Sequence, residues 1–227
     1  FEIKMKVVFA FPGREFSGHF LTHWSETLLY LTKKGHEIRI INEFSSYVPF
    51  SRMKTLGLDV LRGANQKPFD GKVDYDVWFT IDSDIFFQPW QVEQIIEDTK
   101  TYPVVSGLYR MIDLQHFACV KTWDEEFFKQ HGSFKFMTPD DLKDEKEQYI
   151  KVAYNGMGFF AVRRGVIENL RYPYFHSPVQ EITRDDGTII RDICSEDVAF
   201  CRNLKEAGYP VWVNTKIRVG HEKTLVI

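Results

Sequence analysis

The first 42 residues constrain the fold more than any other stretch. Residues 4–11 are an apolar, β-prone run closed by Pro12-Gly13. A helix is predicted from Ser17 or Gly18. Phe20, Leu21, Trp24, Leu28 and Leu31 recur at helical spacing, and Lys33-Lys34-Gly35 forms the stop. Residues 37–42 read as a second strand. Strand, helix and strand this close together make a βαβ unit, which implies a parallel sheet with a right-handed crossover. The 227-residue chain shows no internal repeat, low-complexity tract or linker. One α/β domain over residues 1–227, with an elaborated C-terminal half, is therefore expected.

Later elements follow from the same signals. Ser51 is predicted to cap a short helix running through Leu61 to Gly63, with residues 64–74 as loop. A third strand occupies residues 77–81, and Pro89 opens a helix carrying Val92, Ile95 and Ile96. Residues 104–110 and 114–120 read as further strands. Residues 124–147 hold two charged helical pieces, one opened by Thr138-Pro139-Asp140-Asp141. Strands are expected at 149–154, 158–163 and 211–213, a turn at 184–187, and a helix from Ser195 to Ala207.

The third strand ends in Ile81-Asp82-Ser83-Asp84. Residues i and i+2 of an extended chain point the same way, so two carboxylates should converge at the mouth of the sheet. Hard oxygen donors of this kind suit Mg²⁺ or Mn²⁺ with substrate phosphates completing the shell. In an open parallel sheet, ligands bind at the carboxyl ends of the strands. Pro12 and Arg14 follow the first strand, Glu43 the second and Asp82 to Asp84 the third. Together they could hold a base, a ribose and a metal-bound diphosphate. Glu196 and Asp197 open a helix, where acids complement the dipole or aim a general base into the cleft. His221, after Gly220, offers an imidazole as third protein ligand. Asn155-Gly156-Met157-Gly158 reads as a hairpin turn or as a substrate-lining segment.

Composition narrows the partners. A net charge of -3 and a pI near 6.2 give no basic footprint for nucleic acid. Many of the 20 Phe, 10 Tyr and 5 Trp must be core, but such a surplus also suits a site that stacks on bases or sugar rings. The three cysteines form neither a zinc set nor a disulfide framework, which fits a reducing, cytoplasmic setting. No apolar run reaches the length of a membrane span, and no signal peptide is visible. Walker, nucleophile-elbow and Gly-rich dinucleotide motifs are absent.

Taken in order, these features resemble the GT-A-fold nucleotide-sugar glycosyltransferases, over about residues 4–223. Asp82-Ser83-Asp84 is similar to their DxD motif. Glu196-Asp197 is similar to the xED motif, whose Asp is the catalytic base of inverting members. His221 matches the C-terminal His of the metal site, and Arg52 sits where many members carry an Arg facing the nucleotide. The resemblance implies a single GT-A-like (Rossmann-like) domain with a mixed, mostly parallel central sheet flanked by helices. Residues 1–110 would form the nucleotide-binding half and 111–227 the acceptor-binding half. Pro12, Arg14, Glu43, Arg52, Asp82 and Ser83 would contact the donor. Asp82, Asp84 and His221 would surround Mn²⁺ or Mg²⁺, and Asn155 to Gly158 would touch substrate. The acceptor hydroxyl would belong to a carbohydrate, a lipid-linked molecule or a protein, which allows a location peripheral to a membrane. A sugar-phosphate nucleotidyltransferase is the alternative enzyme, but it would carry a Gly-rich basic loop where residues 11–15 are short and Gly-poor. A non-catalytic carbohydrate-binding protein would explain the aromatics but not the ordered acids.

Overall fold

A computed structural model describes residues 4–224. The opening unit folds as its spacing predicts. β1 (Lys6–Pro12) and β2 (Glu37–Glu43) pair in parallel, joined by α1 (Gly18–Lys33). Ser17 Oγ accepts the Phe20 N–H at 3.1 Å and closes the first turn of α1. Phe20, Trp24, Thr27 and Leu31 form its buried face, whereas Leu21 points to solvent. Gly35, at a φ of 88°, turns the chain into β2.

The next helix differs from expectation. α2 (Val48–Thr55) starts before Ser51, which lies buried inside it rather than capping it. Pro49 sets the start, since a first-turn position needs no N–H donor. Short 3-10 turns at Val60–Arg62 and Pro68–Gly71 replace the expected helix end and part of the loop. β3 (Val77–Ile81), β4 (Ile85–Phe86), α3 (Pro89–Asp98) and β5 (Val104–Leu108) follow. The strand predicted over 114–120 contracts to β6 (Cys119–Val120). Leu114 adopts a φ of 59°, and Asp113 accepts the N–H groups of Gln115 and His116 at 2.9 and 3.0 Å, so this stretch is a turn.

The second half contains α4 (Glu125–His131), α5 (Pro139–Asp144), β7 (Tyr149–Val152), β8 (Tyr154–Asn155) and β9 (Phe159–Arg163). The turn at 184–187 joins an antiparallel hairpin, β10 (Val179–Thr183) and β11 (Ile189–Ile193). α6 (Glu196–Glu206) leads to β12 (Val211–Arg218), longer than predicted, and β13 (Gly220–His221).

The central sheet has seven strands in the order β2-β1-β3-β9-β5-β12-β7. β2, β1, β3, β5 and β12 run one way, while β9 and β7 oppose them. The sheet is thus mixed with mostly co-directional strands, and β9 and β12 from the second half complete it. Alternation sorts the core into two layers. Val7, Phe9, Phe11, Val77, Phe79, Ile81 and Phe159 pack towards α1 and α3. Val8, Ala10, Trp78, Phe160 and Val162 pack on the opposite face with Phe200 and Leu204 of α6. Each fully buried aromatic contributes about 2 kcal/mol of transfer free energy, which fixes the register of the strands. The consequence is positional: β1, β2, β3, β5 and β12 all end at one edge. Among the described residues no helix is long and apolar enough to cross a membrane.

Candidate functional site

The two-strand ladder of β4 and β13 assembles the first part of the site. His221 pairs with Ile85, and Glu222 donates its N–H to the Asp84 carbonyl at 2.7 Å. This brings His221 Nε2 to 3.1 Å from Asp84 Oδ2 across 137 positions. A Cβ on Gly220 would lie 3.0 Å from the Phe86 Cβ, so glycine lets the ladder close. His221 Nδ1 faces the Arg110 carbonyl at 2.7 Å. A carbonyl only accepts, so Nδ1 carries a proton and the Nε2 lone pair faces Asp84. A neutral ring leaves Nε2 an acceptor beside the carboxylate, and positive charge at that point comes from Lys223. Lys223 Nζ lies 2.5 Å from the same Oδ2. Burial would raise the Asp84 pKa, but His221 and Lys223 beside it outweigh that and hold the carboxyl down at about 2.

Asp82 does not join this pair. Arg52, 3% exposed, grips it bidentately, with Nη1 on Oδ1 at 3.1 Å and Nη2 on Oδ2 at 3.2 Å. Arg52 Nε reaches Glu196 Oε1 at 3.3 Å, and Nη1 also donates to Thr80 Oγ1 at 3.3 Å. Arg52 thus engages Asp82 while His221 meets Asp84, and among the described residues no three His, Cys, Asp or Glu side chains form a metal-holding group. Arg52 is buried between carboxylates. Burial would lower its pKa, yet Asp82 and Glu196 raise it and keep the guanidinium charged.

Glu196 and Asp197 form the first turn of α6, and Ser195 precedes it without a side-chain cap bond. The Ser195 hydroxyl instead donates to Asp197 Oδ1, which also accepts the Val198 N–H at 2.9 Å. Tyr154 donates its hydroxyl to Asp197 Oδ2 at 3.1 Å. Burial, then Asp197, push the Tyr154 phenol well above its ordinary pKa, so it stays a donor. Burial and the neighbouring Asp197 raise the Glu196 pKa against the opposing charge of Arg52. Tyr154 and Tyr109 were not singled out from the sequence. The signal for Lys223 was its place two residues after His221, and for the tyrosines there was none beyond an aromatic at a strand end.

Asn155, Gly156, Met157 and Gly158 are buried. Asn155 Nδ2 clasps Ser106 Oγ and the Gly107 and Gly156 carbonyls at 3.0 to 3.1 Å. The space the glycines clear is filled by Tyr109. A Cβ on Gly156 would collide with its hydroxyl, and one on Gly158 would lie 2.9 Å from its Cζ. The segment therefore forms the floor beneath the cleft rather than its exposed lining. It also places Asp82, whose N–H donates to the Gly158 carbonyl at 3.0 Å.

Pro12, Arg14 and Glu43 lie together where β1 and β2 end. Gly13 donates its N–H to the Glu43 carbonyl at 3.0 Å, and Asn42 Nδ2 holds the Phe11 and Gly13 carbonyls at 2.8 and 2.7 Å. The Arg14 guanidinium lies 5.3 Å from the Phe44 ring centroid. A Cβ on Gly13 would come within 2.8 Å of Ser83, so this loop abuts the Asp82-Ser83-Asp84 turn.

No protein-family model and no curated protein matches the sequence. Solved structures match in fold. A197 from STIV is 17% identical, with a TM-score of 0.55 over 97% of this chain and 87% of that one. The crystal structure of GalNAc-T7 with UDP, GalNAc and Mn²⁺ is 11% identical, with a TM-score of 0.50 over 98% of this chain and 44% of that one. This chain therefore spans less than half the length of the second protein. At such identities the likeness is one of fold, a mixed α/β, GT-A-like domain.

Proposed function

We propose that the chain is a metal-dependent glycosyltransferase that moves a sugar from a nucleoside-diphosphate sugar to an acceptor hydroxyl, with inversion. The observation that carries this reading is the Arg52 bridge. It draws Asp82 and the helix start bearing Glu196 and Asp197 to one sheet edge, beside Asp84 and His221. The shared fold with a structure solved with UDP, GalNAc and Mn²⁺ supports the donor class.

The carboxylate of Asp84 and Nε2 of His221, 3.1 Å apart, are an oxygen and an imidazole donor of the kinds that hold Mn²⁺ or Mg²⁺. When bound, that ion supplies a Lewis acid for charge developing on the departing diphosphate. Lys223 adds positive charge at the same place. Asp82, fixed by Arg52, is left for the ribose side of the donor, with Ser83 between it and Asp84. Pro12, Arg14 and Glu43 flank the base, with the Phe44 ring available for stacking. Residues 1–110 thus supply most of the donor edge and 111–227 the acceptor side.

Asp197 takes the proton from the acceptor hydroxyl. The acceptor oxygen bonds to the anomeric carbon as the bond to the diphosphate breaks on the opposite face, which inverts that centre. Ser195, Tyr154 and the Val198 N–H fix the orientation of the carboxylate, and Glu196 links it to Arg52 and the donor side. Incubation with Mn²⁺ and a panel of UDP- and GDP-sugars tests the reading. Release of nucleoside diphosphate supports it. Release of pyrophosphate would favour a nucleotidyltransferase, and no turnover would favour a binding module.

A further inference from the structure

A cavity of about 720 Å³ opens between β8, β10, the outer face of α6 and the segment around residues 120–134. Its volume lies within the usual range for small-molecule sites. Trp123, Phe134 and Tyr154 form one wall, with centroid separations of 5.5 Å for the first pair and 6.0 Å for the second. None of the three is fully buried and Trp123 is 39% exposed; Tyr154 packs against one core layer, whereas Trp123 and Phe134 belong to neither. The rim is polar. Gln180 comes from β10, Arg202 and Lys205 project from α6 one turn apart, and Glu125, Glu181 and Glu206 line the same rim. A smaller cavity of 260 Å³ shares Phe134 and Gln180 and reaches Ser195.

We propose that this cavity binds a carbohydrate, with a pyranose ring lying against Trp123 and Phe134. A pyranose presents an apolar C–H face and a belt of hydroxyls. The aromatic wall matches the face, and the amide and cations of the rim match the belt. An acyl chain would desolvate this rim of charges without offering any of them a hydrogen bond, whereas sugar hydroxyls both donate and accept. The inner wall also touches the chemistry: Tyr154 lines the cavity and donates to Asp197 Oδ2 at 3.1 Å, while Ser195 lines the smaller one and holds Oδ1. The bound sugar is accordingly the acceptor, a role that rests on the proposed transferase reading, whereas carbohydrate binding itself does not.

The test titrates the full chain with lactose, cellobiose, maltose and chitobiose, and separately with decanoate, following the tryptophan indole N–H signals by NMR. At least one disaccharide is expected to shift an indole signal saturably. By an independent binding measurement, Trp123→Ala should weaken that disaccharide about tenfold or more, the loss of a stacking anchor. Should Trp123→Ala fail to fold, Arg202→Ala, at an exposed rim position, should weaken the same titration. No binding of any disaccharide, binding that neither variant alters, or binding of decanoate alone would overturn the proposal. UDP with Mn²⁺ is titrated in parallel on the unmodified chain. Its failure to bind counts against the donor reading and leaves the pocket standing. UDP binding without disaccharide binding overturns the pocket alone.

Discussion

Both terminal nitrogens of Arg52 face both carboxylate oxygens of Asp82, at 3.1 and 3.2 Å, across 30 positions of sequence. The same guanidinium reaches Glu196 with its Nε–H, 144 positions away. A planar fork in a nearly dry site is the one side chain able to serve both acids at fixed angles. The aspartate that ends β3 and the acid that opens α6 are therefore set by one cation.

Removing that cation should be costly. Arg52→Met leaves both carboxylates without their counter-charge, and a loss of about 2–4 kcal/mol is expected by urea denaturation. Arg52→Lys keeps the charge but cannot form the fork, so it should fall between Met and the native residue. A loss under about 0.5 kcal/mol for Arg52→Met would show that the bridge has no structural weight.

Glu196 gives a pH dependence with a definite sign. Its folded-state pKa is raised above the ordinary glutamate value of 4.5, by burial and by the neighbouring Asp197, against the opposing charge of Arg52. A raised carboxyl pKa means that the folded state prefers the proton. The stability linked to it is present below pH 4.5 and is lost as pH rises through the folded pKa. Glu196→Gln should thus gain stability relative to the native chain as pH is raised from 4 to 7. Parallel urea curves at the two pH values check this, and a relative loss would reverse the assignment.

The glycines beneath the cleft make a packing prediction. Gly156→Ala places a methyl against the Tyr109 hydroxyl and should cost about 2 kcal/mol or more. Tyr109→Phe removes the acceptor for the Gly158 N–H, now at 3.2 Å, and should cost about 1 kcal/mol. The double variant should lose less than the sum, because the second change removes the atom that the first one meets. Additive losses would place the strain elsewhere.

How much of this was legible beforehand depends on whether one residue's neighbours determine its role. β1, α1, β3, α3 and β9 were readable because a single buried face or a continuous apolar run sets each of them. The β10–β11 hairpin was readable only at its turn. Val179, Ile189 and Ile193 are exposed, so no buried face imposes a pattern on its strands. Ser51 misled the placement of α2 because Pro49, two residues earlier, is the stronger start signal. Asp84 and His221 were singled out, with Asp82, by ligand chemistry together with the family resemblance, and the β4–β13 ladder shows how the two meet. The diversion of Asp82 to Arg52 was not legible, since nothing local to either residue records a partner so far along the chain.

Asp197 is the residue on which the chemistry depends. Asp197→Asn should lower transfer by about 10²–10⁴-fold while metal-dependent nucleotide binding stays near normal. Steady-state transfer rates and nucleotide titrations measured side by side separate the two effects. Transfer at a near-native rate would remove Asp197 from the role of base.

The most direct test is isothermal titration of UDP and of GDP into the protein, with Mn²⁺ and then with EDTA, repeated on Asp84→Asn. One nucleoside diphosphate should bind with Mn²⁺, lose affinity in EDTA, and bind Asp84→Asn about tenfold or more weakly. Binding of neither nucleotide in Mn²⁺, or binding that both EDTA and Asp84→Asn leave unchanged, would contradict a metal-dependent donor site at Asp84 and His221.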